Sequence, residues 1–234
     1  MFKKVITLAV LCVAAMSVSA QEMNLARNEN AIGQAVAAKL LTAVYKKAGL
    51  GINIQPLPGA RANAVATSGE KDGEVARIQA YADKNPSLIK VEPGYYFLTT
   101  AAFAKSDSGI VITSKADLKK YKVGIVRGIA HAEAATDGLP GLQVANTYEQ
   151  LYQMVDAGRV EVGIDEGING PVTLKKLGLT SIKQVGEIAK LDLFNMLNSK
   201  QKDVAPRISA AIKALKDSGE LAVLTKQYES EYLK

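Results

Sequence analysis

The chain of 234 residues has one cysteine, one histidine and no tryptophan. A lone Cys12 cannot close an internal disulfide, so stability must come from packing alone. With His131 as the one imidazole, Cys/His zinc sites and multi-histidine metal sites are excluded. His131 lies in His131-Ala132-Glu133 and reads as an exposed helix residue. The chain also lacks a P-loop and a G-x-G-x-x-G fingerprint, so no nucleotide cofactor is supported and none is expected. The seven prolines are dispersed and mark no linker. Positive charge is only slightly in excess: 29 Lys and Arg against 23 Asp and Glu give +6, and without Lys3 and Lys4 this falls to +4. Basic residues interleave with acids instead of forming a stripe, which argues against nucleic acid as a partner. After Ala20 every apolar run is broken by charge, Gly or Pro well before the roughly 20 residues that a membrane-spanning helix needs.

The first twenty residues form a separate object. Met1 to Lys4 is a short basic segment, Val5 to Val18 is apolar, and Val18-Ser19-Ala20 supplies small residues before the polar Gln21-Glu22-Met23-Asn24. This pattern predicts a cleaved signal peptide over 1–20, a mature chain starting at Gln21, and export to the periplasm. Leu11 precedes Cys12 where a lipid-anchor signal wants a small residue, so no anchor is expected. The remainder, 48% hydrophobic over the whole chain, is long enough for one sizeable core or two small lobes.

Periodicity predicts short strands alternating with helices, the pattern of an α/β protein with largely parallel sheets. Strands are expected at Met23–Arg27, Gly51–Gln55, Gly73–Ile78, Tyr121–Val126, Leu142–Ala145, Val160–Asp165 and Ile182–Val185, and helices at Ala35–Ala48, Ala60–Ser68 and Val172–Leu177. Tyr95 to Ala104, uniformly apolar or small, reads as a buried strand or crossing segment. Ser114-Lys115-Ala116-Asp117 and Thr147-Tyr148-Glu149-Gln150 have the form of capping boxes and mark two more helix starts. Two apolar stripes, Val204 to Leu215 and Leu221 to Tyr232, predict closing helices separated at Ser218-Gly219.

Four segments carry a resemblance to a known family. They are Arg61-Ala62 through Gly69-Glu70-Lys71-Asp72-Gly73; Tyr121-Lys122-Val123-Gly124-Ile125-Val126-Arg127-Gly128; Ala157-Gly158-Arg159-Val160-Glu161-Val162-Gly163-Ile164-Asp165; and Ile212-Lys213-Ala214-Leu215-Lys216-Asp217-Ser218-Gly219-Glu220-Leu221. In this order they resemble the bacterial extracellular solute-binding proteins of family 3, the polar amino-acid-binding type that feeds ABC transporters. The Thr-Pro-Glu-Arg motif that usually holds an amino acid's carboxylate in that family is absent. The resemblance implies a type II periplasmic-binding-protein fold: two α/β lobes with parallel sheets, joined by crossings near Leu98–Phe103 and Lys190–Phe194. The first lobe would comprise 21–98 and 191–234, the second the inserted 99–190, with hinge closure over a ligand. It further implies a monomer that captures an amino acid or related carboxylate for an ABC permease, or reports it to a membrane sensor.

A buried zwitterion needs a cation for its carboxylate and an anion for its ammonium. Arg77, at the end of an apolar strand, either faces the ligand or pairs with Glu74 or Asp83. Arg127 follows the strand ending at Val126, where Gly128-Ile129-Ala130 would open a helix, and is either a carboxylate ligand or a loop charge. Arg61, near a helix start after Pro58-Gly59, is similarly placed. Asp165 and Glu166 end a strand before Gly167-Ile168-Asn169-Gly170-Pro171; they either bind the ligand or simply favour the following helix's positive end, and the resemblance puts Asp165 where the family holds an ammonium. Tyr96, flanked by Tyr95 and Phe97, either stacks on a ligand or belongs to the core. Glu149 reads as a capped-helix charge outside the site. Asp165 or Glu166 acting as a general acid in a cofactor-free enzyme, such as a dehydratase, is the catalytic alternative to binding.

Overall fold

The computed structural model describes residues 21–234; the expected signal peptide lies outside them. In chain order the first elements are β1 (Glu22–Asn28), α1 (Ile32–Lys47), β2 (Gly51–Leu57), α2 (Gly59–Ser68), β3 (Gly73–Arg77) and the short α3 (Gln79–Lys84). On α1, Val36, Ala37, Leu40, Leu41, Val44 and Tyr45 recur at helical spacing and are all fully buried. Each large side chain among them contributes about 1.5–3 kcal/mol, so packing rather than intrinsic propensity holds the helix. Lys46 and Lys47 in its last turn suit the negative end of the helix dipole.

Two long strands, β4 (Leu88–Lys105) and β8 (Ile182–Asn198), pair antiparallel along almost their whole length and run through both halves of the molecule. Their register shifts between Val91 and Tyr96, where Pro93 has no N–H to give to the ladder. Between them in sequence come β5 (Val123–Val126), α4 (Ala130–Thr136), β6 (Gln143–Ala145), α5 (Tyr148–Asp156), β7 (Val162–Glu166) and α6 (Asn169–Leu177); α7 (Ala205–Asp217) and α8 (Glu220–Leu233) close the chain. The strand order is β2-β1-β3-β8-β4-β7-β5-β6. Parallel triplets at the two ends, β2-β1-β3 and β7-β5-β6, are thus joined by the antiparallel β8-β4 ribbon. Gly73 is required where β3 meets β8, because a Cβ there would come within 2.0 Å of the Met196 carbonyl oxygen.

Separate cores sit at the two ends. One gathers Met23, Leu25, Leu40, Tyr45, Tyr95, Leu197, Ile208 and Leu215; another gathers Ile112, Leu118, Val123, Ile125 and Ile164, with Phe103 and Tyr152 packed edge to face beside it at 5.7 Å. The architecture is a two-lobed α/β fold. In place of the expected two parallel sheets there is one eight-stranded mixed sheet, because the crossing strands pair antiparallel with each other and with the parallel triplets on both sides. The crossings are also longer than expected: Ile182–Val185 is only the first part of the 17-residue β8. Leu98 faces Leu191 and Thr99 faces Lys190 within this ribbon.

The two capping sequences differ from expectation. Ser114 and Asp117 do exchange side-chain and backbone hydrogen bonds, but they head a six-residue 3-10 turn, not an α-helix. At α5 the Thr147 hydroxyl accepts from the Gln150 N–H at 3.1 Å, whereas the Gln150 side chain accepts from the N–H of Asn146, one residue earlier than a full capping box. His131 is also not exposed: it is buried on α4 with Nδ1 3.1 Å from the Thr100 hydroxyl, and burial pushes its pKa down to about 4.

Candidate functional site

Among the described residues a cavity of about 540 Å³ lies between the lobes. The first lobe contributes Asn28, Asn30 and Ile32 from the β1–α1 turn and Gly59 at the start of α2. The second contributes the β5–α4 turn with Arg127, the β6–α5 turn with Asn146 and Thr147, and the α6 face with Asn169, Thr173 and Lys176. These are the segments that follow the C-terminal ends of parallel strands, where α/β sheets commonly bind ligands because helix N-termini converge there. Local packing fixes them. The buried Gln34 accepts the Asn28 N–H at 2.7 Å and donates to the Ala76 carbonyl at 3.0 Å, so α1 and β3 together set the position of Asn28. The Arg127 N–H bonds the Ala145 carbonyl at 3.0 Å, tying the β5–α4 turn to β6.

Of the six residues expected at the site, Arg127 lines this cavity. Its side chain is exposed and joins no ion pair among the described residues. Asp165 is fully buried one layer behind. Its oxygens accept from the Tyr152 hydroxyl (2.9 Å), the Glu166 N–H (2.6 Å) and the Asn169 amide (2.9 and 3.0 Å), and burial pushes its pKa up to about 7 against those donors. Asp165 therefore acts on the cavity through Asn169, whose amide it holds at the start of α6.

Glu166 and Tyr96 border a different concavity, about 180 Å³, on the hinge flank beside Glu187 and Glu229. The Tyr96 hydroxyl donates to Glu229 at 2.9 Å and its ring lies 5.2 Å from Phe97. The Glu166 carboxylate presses on Gly33 in the first turn of α1, whose N–H it accepts; burial and the nearby Asp165 raise its pKa to about 8. This is a contact from the second lobe to the first. A depression of about 290 Å³ by Lys105, Tyr121 and Glu161 lies on the second lobe, away from the interlobe turns.

The other two arginines are engaged elsewhere. Arg77 pairs with the fully buried Glu74 at 2.5 Å, donates to it through Nε at 2.6 Å, and lies 4.5 Å from the Tyr81 ring, whose hydroxyl bonds the same carboxylate. A buried carboxylate must be compensated, and Arg77 supplies that charge. Arg61 is exposed on α2 and pairs with Glu70 at 3.2 Å, outside the lining. Glu149, read from sequence as lying outside the site, is on the lining and bonds Lys176 at 3.1 Å. The neutral lining residues Asn28, Asn30, Asn146, Thr147, Asn169 and Thr173 were not legible from sequence: short polar residues after strands are also what ordinary turns and helix starts require.

No family model matches the chain. An uncharacterized protein of Shewanella oneidensis is 24% identical over 187 residues, covering 77% of this chain and 70% of that one. Among solved structures, the GluR0 ligand-binding core in complex with L-glutamate aligns with a TM-score of 0.75 at 13% identity, covering 90% of this chain and 99% of that one. A histidine kinase sensor domain with similarity to periplasmic binding proteins gives 0.71 at 18% identity, covering 89% and 96%. The amino acid ABC transporter substrate-binding protein AbpA of Streptococcus pneumoniae, bound to L-arginine, gives 0.70 at 16%, covering 91% and 96%. Among the described residues no helix is long and apolar enough to cross a membrane. The chain has the two-lobed fold of periplasmic binding proteins.

Proposed function

We propose that the protein is an exported solute-binding protein that captures a small polar ligand with an acid group, an amino acid or a related carboxylate, in the interlobe cavity. The observation that carries this reading is Arg127: an exposed guanidinium without a carboxylate partner among the described residues, on a cavity whose other polar side chains are mostly amides and hydroxyls. An arginine donates two parallel hydrogen bonds to a carboxylate, and neutral side chains fix the rest of a ligand without a net charge cost. Closure about the β4–β8 ribbon then seals the cavity by shifting an open–closed equilibrium toward the form that binds more tightly. Delivery to an ABC permease fits the AbpA likeness, and reporting to a membrane receptor fits the sensor-domain likeness; both use the same closed form.

Thermal-shift titration against amino acids, organic acids, polyamines and sugars tests binding. A ligand that binds only the folded state raises the melting temperature with its concentration, as RT ln(1 + [L]/Kd). No shift across the panel, or chemical conversion of a hit, would overturn the reading. Small-angle scattering with a confirmed ligand should show a smaller radius of gyration at saturation.

A further inference from the structure

The charges around the interlobe cavity are lopsided, and the ligand must match them. Arg127 and Lys176 are the cations on its lining and Glu149 is the carboxylate, already paired with Lys176 at 3.1 Å. The other acids near the interlobe turns lie off the lining. Asp165 is fully buried with both oxygens filled by Tyr152, Asn169 and the Glu166 N–H. Glu166 lies on Gly33 at the hinge flank, and Glu133 accepts the Gly128 N–H at 2.8 Å. Glu29, between the lining residues Asn28 and Asn30, stands outside the lining. A ligand ammonium would therefore meet one carboxylate already shared with Lys176 and otherwise neutral oxygens, and a charge buried without an opposite partner of its own is strongly disfavoured.

An acid group meets the opposite situation. Besides Arg127 it finds the start of the ten-residue α2 at Gly59, where the preceding Pro58 gives no side-chain cap and the first turn holds no acid. The free N–H groups of that first turn create a positive potential that no acid of the helix's own first turn neutralises.

We propose that the cavity takes a small organic carboxylate that carries hydroxyl, oxo or amide groups and no charged amino group. The inference rests on the solute-binding reading and narrows its ligand. At about 540 Å³ the cavity is in the range of small-molecule sites and is larger than an inorganic anion needs, which favours an organic acid. The Asn28 side-chain N–H2, the Asn169 amide oxygen and both ends of the Asn146 amide remain without a protein partner among the described residues, so donors and acceptors are present for hydroxyl and oxo groups.

The test uses matched pairs that differ by one amino group: lactate and alanine, succinate and aspartate, glutarate and glutamate, with inorganic phosphate alongside. Calorimetric titration of the full protein should find at least one amino-free acid bound at least tenfold more tightly than its amino partner and than phosphate. Arg127→Gln should weaken that acid at least thirtyfold while leaving the melting temperature of the free protein unchanged. Asn146→Asp, which adds a carboxylate to the lining where the start of α5 tolerates it, should weaken the same acid and narrow its lead over the amino partner at least tenfold. If the amino acid binds more tightly in every pair that binds, the ligand class is wrong while solute binding stands. If neither these pairs nor any member of the wider thermal-shift panel binds, both fail together.

Discussion

The carboxylate of Glu166, from the second lobe, sits directly on Gly33 in the first lobe: a Cβ on Gly33 would come within 1.9 Å of Glu166 Oε1. Helix α1 has no side-chain cap of its own and no acid in its first turn, so a residue from the other lobe takes that place. Alanine in a helix is ordinarily worth about 1 kcal/mol over glycine. Gly33→Ala should instead lose stability, while the same change in a Glu166→Ala background should gain it. Denaturant unfolding of the four proteins should yield a coupling of at least about 1 kcal/mol, and additive effects would show that the two residues do not act on each other.

Glu166 also predicts a pH dependence. Its folded pKa, about 8, lies above the ordinary carboxyl value, because burial and Asp165 disfavour the charge. Between roughly pH 4.5 and 8 the folded state keeps a proton that the unfolded state has released, so this group's contribution to stability is present at low pH and is lost as pH rises through that window. Asp165, raised to about 7, acts in the same sense, and the buried His131, with a pKa near 4, acts in the opposite sense between about 4 and 6.5, so the wild-type profile alone mixes the three. Glu166→Gln isolates the carboxyl: its melting temperature relative to wild type should increase from pH 5 to pH 8, by at least about 4 °C, equivalent to some 1–2 kcal/mol at this chain length. A difference that stays flat with pH would mean that Glu166 titrates normally.

Asp165 is expected to behave as a structural residue. Asp165→Ala leaves the Tyr152 hydroxyl, the Asn169 amide and the Glu166 N–H without their shared acceptor in a dry interior. Each orphaned buried group costs about 1–3 kcal/mol, so the free protein should lose at least about 3 kcal/mol in denaturant unfolding. Unchanged stability with lost ligand affinity would restore it as a direct ligand contact.

Arg77 separates stability from binding in the same way. Removing it strands the buried Glu74 charge, a loss that typically costs about 3–5 kcal/mol. Arg77→Ala should therefore lower the melting temperature sharply while leaving the dissociation constant of any identified ligand within about threefold. Exposed Arg61, paired with Glu70 at the surface, should cost at most about 1 kcal/mol when changed to Ala.

The sequence by itself determined the order and type of most elements, because burying one face of a helix or strand imposes a period that local residues must follow. Helix α1 is legible from Val36, Leu40, Leu41 and Val44, and the break between α7 and α8 from Gly219, whose φ of +75° places it in the left-handed region that glycine adopts freely. Arg127 was legible as a residue delivered to the rim by an apolar strand. What the sequence could not decide was pairing across long separations. The full extent of β8 depends on its match to β4, some ninety residues earlier, and its polar stretch Lys183 to Asp192 has no period that announces a strand. The same limit governs the charges. Arg77, Asp165 and Glu166 all stand at strand ends where a ligand cation or anion would be read. Only tertiary packing assigns Arg77 to Glu74, Asp165 to Tyr152 and Asn169, and Glu166 to the turn of α1 at Gly33, because a charge takes whichever partner the fold brings within reach once water is excluded.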